Sequence, residues 1–506
     1  MLPMSEDILI VGAGPTGLAL AIEMLRFGIP VRLIDKADHP AKYSQALVVQ
    51  ARTLEQFDRY GIADRAVALG RPIRHARFFD EGKLIAEGDL TRIPGRFPFV
   101  LVLPQNDTEA VLIEHLHSLG GRIERQVELT QLEQSHGAVS VQLQHADGNI
   151  EHAQYRWVIG CDGARSAVRK SIGVAFEGDT LAMGFALGDL HLRGADIPGE
   201  DLALHWRRGG DVLFIALLRD DLYRVIRIMR AGDAGDGHTP TVEEFNTTFA
   251  GFGLEITADS AVWLAPFRVN ERRAEHPRAG NVFLAGDASH IHSPAGGQGM
   301  NTGIQDAANL AWKLAAVMRG ADAALLDSYE GERGEVSKSV LRSSGFGLRM
   351  ATSGSAVVEH VRDFVMHHAL QLGFVQDALT RTLSEVGIAY RKSPAVRDTA
   401  GIGPLHAGDR MPDAWHEDGS ALLTPLREAQ HVLIALDVPS GEVPRNLRHT
   451  AVVELASSAA GWTPALQDGL GVGPLLYLVR PDGYIGYRGK SDSEELWAYA
   501  LDKGLM

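Results

Sequence analysis

Apolar residues occur along the chain in short runs that each end in glycine or an acidic residue. Four of these runs are residues 8–11 (ILIV), 31–34 (VRLI), 157–159 (WVI) and 282–285 (VFLA). Runs of this length that are rich in branched residues are typical of buried parallel strands. Apolar residues three or four positions apart at residues 18–27 and 304–318 predict helices. This alternation of strands and helices indicates an α/β fold.

The pattern becomes richer in strands further along the chain. Strands are predicted at residues 202–206, 212–217, 223–229 and 261–266, and again at residues 431–436, 452–455, 475–479 and 484–487. A long helical stretch at residues 325–376 and a Gly- and Pro-rich linker at residues 393–411 separate these two groups. The last two strands flank Pro481-Asp482-Gly483, which predicts a hairpin turn.

Composition limits the classes of function. A chain of 506 residues predicts two or three domains, and a net charge of -15 argues against nucleic acid as the main partner. The mean hydropathy is -0.05. No apolar run reaches membrane-spanning length and the N-terminus lacks a secretory signal pattern, so we expect a cytoplasmic location. Cys161 is the only cysteine, which excludes an internal disulfide and a cysteine-based metal cluster, and we expect no metal.

The first apolar run leads into a glycine pattern, GAGPTG at residues 12–17. In such a pattern Gly12 permits a tight turn, Gly14 lets a pyrophosphate approach the backbone, and Gly17 lets the helix pack on the strand. Asp35 ends the next strand, where an acid can bind ribose hydroxyls. We predict a dinucleotide site, although the pattern also fits a purely structural turn and does not distinguish NAD from FAD.

The segment GDASHIHSPAGGQGMN, residues 286–301, follows another buried strand. Asp287 comes at the carboxyl end of that strand, where ligands bind in open α/β sheets, and could accept hydrogen bonds from sugar-type hydroxyls. The glycines keep side chains away, so that a flat ring could lie against the backbone. Met300 and Asn301 begin a helix whose free N–H groups would stabilise an anionic ring such as a reduced flavin.

A third motif, GCDGARSAVR at residues 160–169, lies between these two. An acid and a glycine at a strand end, followed by Ser and Arg entering a helix, fit a second contact with a cofactor or nucleotide. The alternative is a strand-to-helix turn that Asp162 or Ser166 caps.

The three motifs together resemble those of the group A flavoprotein monooxygenases, the aromatic hydroxylases, whose type fold is that of p-hydroxybenzoate hydroxylase. VGAGPTGLALA resembles the FAD fingerprint of this family, GCDGARSAVRK its DG motif, and GNVFLAGDASHIHSPAGGQGMNTGIQDAANLAWKL its GD motif. FPFVLVLPQNDTEAVLIEHL is also similar to the family. The sequence is most similar to the branch of pentachlorophenol monooxygenase, phenol hydroxylase and the aromatic-polyketide hydroxylases.

The resemblance implies an α/β fold with a Rossmann-like FAD-binding domain, a β-sheet substrate domain and a thioredoxin-like C-terminal domain. The implied bounds are residues 1–75, 101–177 and 268–345 for the FAD-binding domain, 76–100 and 178–267 for the substrate domain, 346–400 for a helical segment and linker, and 401–506 for the C-terminal domain. That last domain lacks Cys-x-x-Cys, so we expect a structural or dimer-contact role for it.

The resemblance also implies an activity. It is that of an FAD-dependent monooxygenase that uses NAD(P)H and O₂ to hydroxylate a phenolic or polyketide-type aromatic substrate through a C4a-hydroperoxyflavin. One alternative is a Baeyer–Villiger or epoxidising flavoprotein oxygenase, and another is an FAD-binding protein that does not oxygenate. The expected partners are the aromatic small molecule and O₂, with no nucleic acid and no membrane, and the chain is expected to be a monomer or a homodimer.

Individual residues take expected roles from this resemblance. The residues implied to bind FAD are Gly12, Gly14, Pro15, Thr16, Gly17, Asp35, Lys36, Gln45, Arg52, Gln105, Asp162, Gly163, Gly286, Asp287, Pro294, Gly297, Gly299, Met300 and Asn301. The candidates for catalysis are His205, Tyr223, His292 and Pro294, with His290 as a further candidate base. Gln45 stands where many members carry an arginine linked to movement of the flavin, so the chain departs from its family there.

Overall fold

The computed structural model describes most of the chain. The residues outside the description are 1–6, 41–45, 136, 208, 230–237, 294–295, 354, 356–357, 359–367, 369–371, 415–420, 457–468, 472 and 491–493. Two of the residues with expected roles, Gln45 and Pro294, lie outside the described residues.

The described residues form helices and strands in the order that the sequence pattern indicates. The helices are α1 (Pro15–Arg26), α2 (Ala51–Tyr60), α3 (Ala63–Leu69), α4 (Gln105–Ser118), α5 (Ala167–Ser171), α6 (Val242–Gly251), α7 (Gly299–Met318), α8 (Ser328–Ala351), α9 (Gly373–Leu383) and α10 (Glu494–Asp502). The strands are β1 (Ile8–Val11), β2 (Arg32–Asp35), β3 (Val48–Val49), β4 (Arg71–Ile73), β5 (His75–Asp80), β6 (Lys83–Asp89), β7 (Val100–Val102), β8 (Ile123–Arg125), β9 (Val127–Ser135), β10 (Ala138–His145), β11 (Ile150–Tyr155), β12 (Trp157–Gly160), β13 (Phe176–Arg193), β14 (Asp201–Arg207), β15 (Asp211–Arg219), β16 (Leu222–Met229), β17 (Thr257–Ala274), β18 (Arg278–Ala279), β19 (Val282–Leu284), β20 (His290–Ile291), β21 (Arg397–Asp398), β22 (His431–Leu436), β23 (Thr450–Leu455), β24 (Leu475–Val479) and β25 (Ile485–Gly489).

A six-stranded sheet in the order β18-β19-β12-β1-β2-β8 forms the centre of the part that is predicted to bind FAD. Strands β19, β12, β1, β2 and β8 are parallel, and β18 is antiparallel at the edge. The four apolar runs of the sequence are therefore neighbours in one sheet. Helices α1 and α7 pack on the same side of it, in a core that includes Ile10, Leu20, Phe283 and Leu314.

A second sheet has eight strands in the order β20-β17-β13-β16-β15-β14-β5-β6. We call one side its outer face, where Leu213, Tyr223 and Val225 pack with Phe245 and Phe249 of α6. We call the opposite side its inner face. The inner face carries Phe185, Leu187, Ala216, Ile226, Ile228, Trp263 and Phe267. Part of it packs against Leu348 of α8 and part against the core of the six-stranded sheet.

The C-terminal part contains a five-stranded sheet in the order β21-β25-β24-β22-β23. Strands β22 and β23 are parallel, whereas β24 pairs antiparallel with both β22 and β25. Apolar clusters cover both faces of this sheet, and α10 contributes to one of them. We classify this unit as thioredoxin-like, as the sequence predicts.

Most of the predicted strands and helices are observed, with small shifts at their ends. Helix α1 starts at Pro15 rather than at residue 18, because proline is favourable in the first turn, where its missing N–H is not needed. The strand predicted at residues 261–266 is the middle of the longer β17. Pro266 is tolerated there because β17 pairs with β20 only at Arg272 and Arg273, which leaves one side of β17 free at the proline.

Two segments differ from the sequence pattern. The predicted linker at residues 393–411 contains β21, which adds to the C-terminal sheet beside β25. Residues 127–155 form an antiparallel meander of β9, β10 and β11 that the sequence analysis did not predict. Among the described residues, no helix combines the length and the apolar character that crossing a bilayer requires.

Candidate functional site

The carboxyl edge of the six-stranded sheet brings together the acidic and glycine-rich strand ends that the sequence singled out. Backbone hydrogen bonds join neighbouring strands at this edge: Gly12 N donates to Ile34 O at 2.8 Å, and Cys161 N donates to Val11 O at 2.8 Å. Ala285 N likewise donates to Gly160 O at 3.0 Å. The residues that follow β1, β2, β12 and β19 therefore border one cleft, as expected for a ligand site in an open α/β sheet.

The turn after β1 has no room for side chains on the side that faces the protein. It has open space on the side that faces the cleft. Gly12 has a φ of 103°, and a Cβ atom added to it would overlap the backbone of Cys161. A Cβ atom on Gly17 would overlap Gly12 O, so α1 can approach the strand only with glycine here. A Cβ atom on Gly14 has no neighbour within 4 Å. The turn therefore presents its backbone to the cleft.

Two carboxylates shape this edge in different ways. Asp35 accepts the N–H of Ala13 at 2.6 Å and that of Ala37 at 2.8 Å, so it fixes the glycine turn against the end of β2. Asp162 Oδ2 accepts the N–H groups of Ala167 at 2.6 Å and Val168 at 3.1 Å at the start of α5. Asp162 Oδ1 is buried with no hydrogen-bond partner among the described residues. A hydroxyl donor on a ligand would satisfy it.

Helices α1 and α7 cross closely beside the turn, and Thr16 lies at their crossing. A Cβ atom on Gly303 or on Gly286 would overlap the Thr16 hydroxyl, and one on Gly303 would also lie 3.1 Å from Gly286 Cα. Gly286 has a φ of 59°, which favours glycine in its own right. The small residues thus bring the N-termini of both helices to the same cleft.

The N-terminus of α7 is anchored by a buried asparagine. Asn301 Oδ1 accepts the N–H of Gln50 at 2.8 Å, and its Nδ2 donates to Val48 O at 2.9 Å and to Gly297 O at 2.7 Å. The Asn301 side chain is therefore used inside the protein. Thr302 N donates to Gln298 O at 2.8 Å, but the N–H groups of Gly299, Met300 and Asn301 precede any acceptor of the helix. A Cβ atom on Gly299 would meet open space.

A buried charged network lies behind the GD segment. Asp306 Oδ2 accepts the N–H of Gly286 at 3.0 Å and the Nε2 proton of His290 at 2.6 Å, while its Oδ1 accepts Arg333 Nε at 2.6 Å. Burial raises the pKa of Asp306, but His290 and Arg333 outweigh it and lower this pKa to about 2. Arg333 also donates to the hydroxyl of Tyr390 at 2.8 Å. The carboxylate of Asp306 thus holds the Gly286 turn in place.

His292 differs from its neighbour His290. The two rings stack with centroids 4.7 Å apart, yet both ring nitrogens of His292 are buried with no partner among the described residues. Burial and the nearby His290 hold the pKa of His292 well below its usual value, so the ring is neutral. A neutral imidazole can donate one hydrogen bond and accept another.

Asp287 is exposed, although the residues around it in the chain are buried. The surrounding protein nevertheless raises the pKa of its carboxyl group by desolvation, which the nearby His290 opposes. Asp287 thus presents an accessible carboxylate just after β19, at the carboxyl edge of the sheet. This position suits hydrogen bonds to a ligand that enters the cleft.

These features fit FAD. The glycine turn and the start of α1 suit a pyrophosphate, the orphaned Asp162 Oδ1 and the exposed Asp287 suit hydroxyl groups, and the start of α7 suits an electron-rich ring. The same segments also contain Pro15, Thr16, Gly163, Gly297 and Met300. Lys36 is exposed just after Asp35.

Gln105 and Arg52 lie on other segments. Gln105 is the first residue of α4, and its side chain accepts from Ala46 N at 3.3 Å and donates to Glu109 at 2.9 Å. Arg52 is directed away from the glycine motifs. It donates to Glu55 at 2.6 Å and to Asp482 O at 2.7 Å, and its guanidinium lies 4.6 Å from the centre of the Tyr484 ring.

His205 and Tyr223 lie on the outer face of the eight-stranded sheet. His205 pairs in register with Leu213 and stacks on Phe79 at 4.6 Å, and burial lowers its pKa to about 4. The Tyr223 hydroxyl donates to Ala195 O at 3.4 Å within the cluster that packs on α6. The structure does not bring these two residues together with the cleft motifs.

A family model described as an FAD binding domain matches residues 5–344. The chain belongs to this FAD-binding family. It is 35% identical to 6-methylpretetramide 4-monooxygenase of Streptomyces rimosus over 96% of the chain and 91% of the relative. It is 34% identical to pentachlorophenol 4-monooxygenase of Sphingobium chlorophenolicum over 86% of the chain and 81% of the relative. The solved anhydrotetracycline hydroxylase of Streptomyces rimosus is 29% identical, with a TM-score of 0.80 over 98% of both chains.

These findings confirm the resemblance, the fold class and the class of reaction. The chain is an FAD-dependent monooxygenase of the group A aromatic hydroxylase type, with NAD(P)H as the reductant typical of its family. The FAD-binding family match covers every segment of the cleft described above.

Sequence reasoning missed several residues of this monooxygenase site. Asp306 and Arg333 fix the Gly286 turn. Gln50 donates to Gly296 O at 2.9 Å, and its Oε1 has no partner among the described residues. One signal was available in the sequence, because α7 carries Gln305, Asp306, Asn309 and Lys313 among apolar residues on all sides of the helix. The structure buries every residue from 301 to 317. Polar residues on a helix that is otherwise apolar all round indicate a buried network.

Proposed function

We propose that this monooxygenase hydroxylates a phenolic or polyketide-type ring that binds between the FAD cleft and the inner face of the eight-stranded sheet. The apolar, aromatic character of that face is the observation that supports this most. Phe185 and Phe267 pack edge to face at 6.3 Å, in a cluster with Trp263 and Leu348. Apolar and aromatic walls with few polar groups suit a flat ring.

The assignment of cofactor contacts is part of this proposal. Gly12, Gly14, Gly17 and Asp35 hold the ADP end, Asp162 and Asp287 bind hydroxyl groups, and the start of α7 faces the ring. Bound FAD supplies hydride acceptance from NAD(P)H and activation of O₂. The chain itself positions the two reactants and excludes water from the chamber.

Two polar side chains are proposed to orient the ring substrate. Arg224 on the inner face is fully buried and paired with Asp189, and its Nη1 has no partner among the described residues. We assign Nη1 to an oxygen of the substrate, because a buried guanidinium suits a phenolate or an enolate. His292 is neutral, and we assign it a hydrogen bond to cofactor or substrate rather than a stored proton.

The experiment that tests this function starts from the absorption spectrum of the purified protein, which should show bound flavin. Candidate phenols and polyketide-type rings are then screened for faster NAD(P)H oxidation, and products are analysed after reaction under ¹⁸O₂. Hydroxylation predicts a product with one labelled oxygen on an intact ring.

The other outcomes identify the alternatives. Oxygen inserted into a carbon–carbon bond or an epoxide would favour the Baeyer–Villiger or epoxidising oxygenase. Stoichiometric H₂O₂ with no oxygenated product from any ring would favour a protein that binds FAD without oxygenating. The monomeric or dimeric state and the cytoplasmic location stay predictions from the sequence.

A further inference from the structure

A second cavity lies outside the FAD cleft, between α2 and the C-terminal unit. Its volume is about 30 Å³. That is room for the head of a small molecule, since one buried water needs roughly 10–15 Å³. Its polar wall is formed by Arg52, Glu55, Asp58, Arg59, Arg96, Asp413 and Arg427, and its apolar wall by Phe97, Met411, Leu423 and Leu426.

Arg59 is the unusual residue of this wall. It lies in the last turn of α2 with only 6% of its surface exposed, and its Nε and Nη2 have no hydrogen-bond partner among the described residues. Burial, together with the adjacent Arg52, lowers the pKa of Arg59 to about 10, so it remains a cation at neutral pH. A buried cation with unused donors is costly unless an anion or a polar group reaches it.

The carboxylates around the cavity are already used by other groups. Glu55 pairs with Arg52 at 2.6 Å and Arg410 at 2.7 Å. Asp58 pairs with Arg96 and, at 2.9 Å, with Arg427.

Asp413 is also occupied, because it accepts the N–H groups of Ala414 at 3.0 Å and Leu423 at 3.1 Å. The wall itself carries four arginines and three carboxylates. Arg59 is the arginine of the wall that pairs with none of the three carboxylates among the described residues.

We propose that this cavity binds the carboxylate of a small organic acid, with Arg59 as its main contact. The guanidinium presents donors in the fork that suits a carboxylate. Phe97, Met411, Leu423 and Leu426 offer the acid's short apolar body a place to pack. The three carboxylates of the wall disfavour a doubly charged anion such as phosphate.

Sodium propionate is the probe for the test. The FAD-loaded full-length protein is titrated with it at pH 7 and constant ionic strength, with binding followed by saturation-transfer difference NMR. We expect saturable binding, and Arg59→Met should weaken it by about tenfold or more, because it removes a charged hydrogen bond. Arg65→Met is the matched control, since Arg65 is an exposed arginine of the neighbouring α3 that pairs with Glu114 at the surface.

Further measurements guard against a variant that folds poorly. Arg59→Met must retain the FAD content and circular dichroism of the unaltered protein, and Arg59→Lys should bind propionate with intermediate affinity because it keeps the charge without the fork. A crystal of the unaltered protein soaked with 3-bromopropionate should show anomalous bromine signal beside Arg59.

Several results would overturn the proposal. They are bromine elsewhere with only water at Arg59, equal propionate affinity in Arg59→Met and Arg65→Met, or inorganic phosphate binding more tightly than propionate. Each of these is independent of whether the enzyme hydroxylates a ring, because none depends on turnover.

Discussion

The two carboxylate oxygens of Asp162 have different roles, which substitutions of Asp162 and Ser166 can distinguish. Oδ2 caps the start of α5, and Oδ1 is buried, has no partner among the described residues and can accept from a ligand hydroxyl. We expect Asp162→Ala to weaken FAD binding by about tenfold or more, the usual effect of losing a hydrogen bond to a charged group. Titration of apoprotein with FAD, followed by flavin fluorescence, measures this.

Ser166→Ala is the matched control for that experiment. Ser166 also caps α5, by accepting the N–H of Arg169 at 2.9 Å, but it is fully buried. We expect this variant to lose stability of about 1 kcal/mol without a matching loss of FAD affinity. Equal losses of affinity in both variants would mean that Asp162 acts only through the helix.

Glu385 gives the stability of the protein a specific pH dependence. It is 1% exposed and accepts hydrogen bonds from Thr302 and Gln305 in α7. Burial raises its pKa from 4.5 to about 7, although Arg333 opposes the shift. An acid with a raised pKa binds its proton more tightly in the folded state, so its stabilising effect is complete below pH 4.5 and is lost as the pH rises through 7.

Glu385→Gln removes this titration and leaves a group that can still accept a hydrogen bond. Relative to the variant, the unaltered protein should lose about 3 kcal/mol of unfolding free energy between pH 4.5 and pH 8. Urea unfolding of both proteins at the two pH values measures the difference. A difference that does not change with pH would show that the pKa of Glu385 is the same in the folded and the unfolded protein.

The sequence located the acids of the cleft better than the side chains of the eight-stranded sheet. Asp35, Asp162 and Asp287 each end a strand, and parallel strands end at one edge, so their convergence follows from the pattern. The faces of β14 and β16 could not be assigned in the same way, because each of these strands has buried residues on both of its faces. His205 and Tyr223 were therefore not separable from inner-face residues by pattern alone.

At the scale of elements, the crossing of α1 and α7 depends on glycine at position 303. A Cβ atom there would overlap the Thr16 hydroxyl and lie 3.1 Å from Gly286 Cα, which is backbone and cannot turn away. We expect Gly303→Ala to separate the helices, to lower unfolding free energy by about 1–3 kcal/mol and to weaken FAD binding. Urea unfolding and FAD titration measure the two effects.

Gly331→Ala is the control on a neighbouring helix. Gly331 lies in α8, is exposed, and a Cβ atom on it meets nothing within 4 Å. Alanine is the better helix former, so this variant should gain about 0.5–1 kcal/mol and leave FAD affinity unchanged. A Gly303→Ala protein that behaves like Gly331→Ala would show that the crossing tolerates a methyl group.

Periodicity predicted the elements well where burial was one-sided or complete. It was less useful for the linker at residues 393–411, because β21 has only the residues Arg397 and Asp398 and depends on a partner strand near the end of the chain. Such pairing is not encoded in local pattern. The polar residues of α7 indicate a buried network, but local pattern does not identify its partners Glu332 and Asp482, which come from later elements.

At the scale of the whole molecule, the C-terminal unit is joined to the FAD-binding part by buried charges. Asp482, in the turn between β24 and β25, accepts Trp312 Nε1 at 3.1 Å and Asn309 Nδ2 at 3.3 Å from α7. Arg480 donates to Glu332 of α8 at 2.8 Å, and Lys313 pairs with the same carboxylate at 2.9 Å. Arg480 and Glu332 are fully buried.

Asp482→Ala tests whether this contact supports the flavin site. The substitution leaves Trp312 Nε1 without its acceptor and removes the acid that pairs with the buried Arg480, so we expect a loss of about 3–5 kcal/mol in unfolding free energy. The temperature at which flavin fluorescence appears on heating should fall as well, because α7 carries the cofactor loop at its N-terminus. Fluorescence-monitored melting and urea unfolding measure the two quantities.

The control is Glu428→Ala, which alters an exposed acid of the same C-terminal unit. It should change neither measurement by more than about 0.5 kcal/mol or its equivalent in temperature. If Asp482→Ala lowered stability while flavin release stayed at the original temperature, the network would hold the domains together without supporting the cofactor.

The hairpin turn that carries Asp482 has a consequence for exchanging parts among these enzymes. A chimera that joins the C-terminal unit of one relative to the FAD-binding part of another would separate Asp482 from its hydrogen-bond donors Trp312 and Asn309. Chimeras should therefore take residues 309, 312 and 332 from the same relative as the C-terminal unit. The C-terminal unit can then be exchanged only together with these positions of α7 and α8.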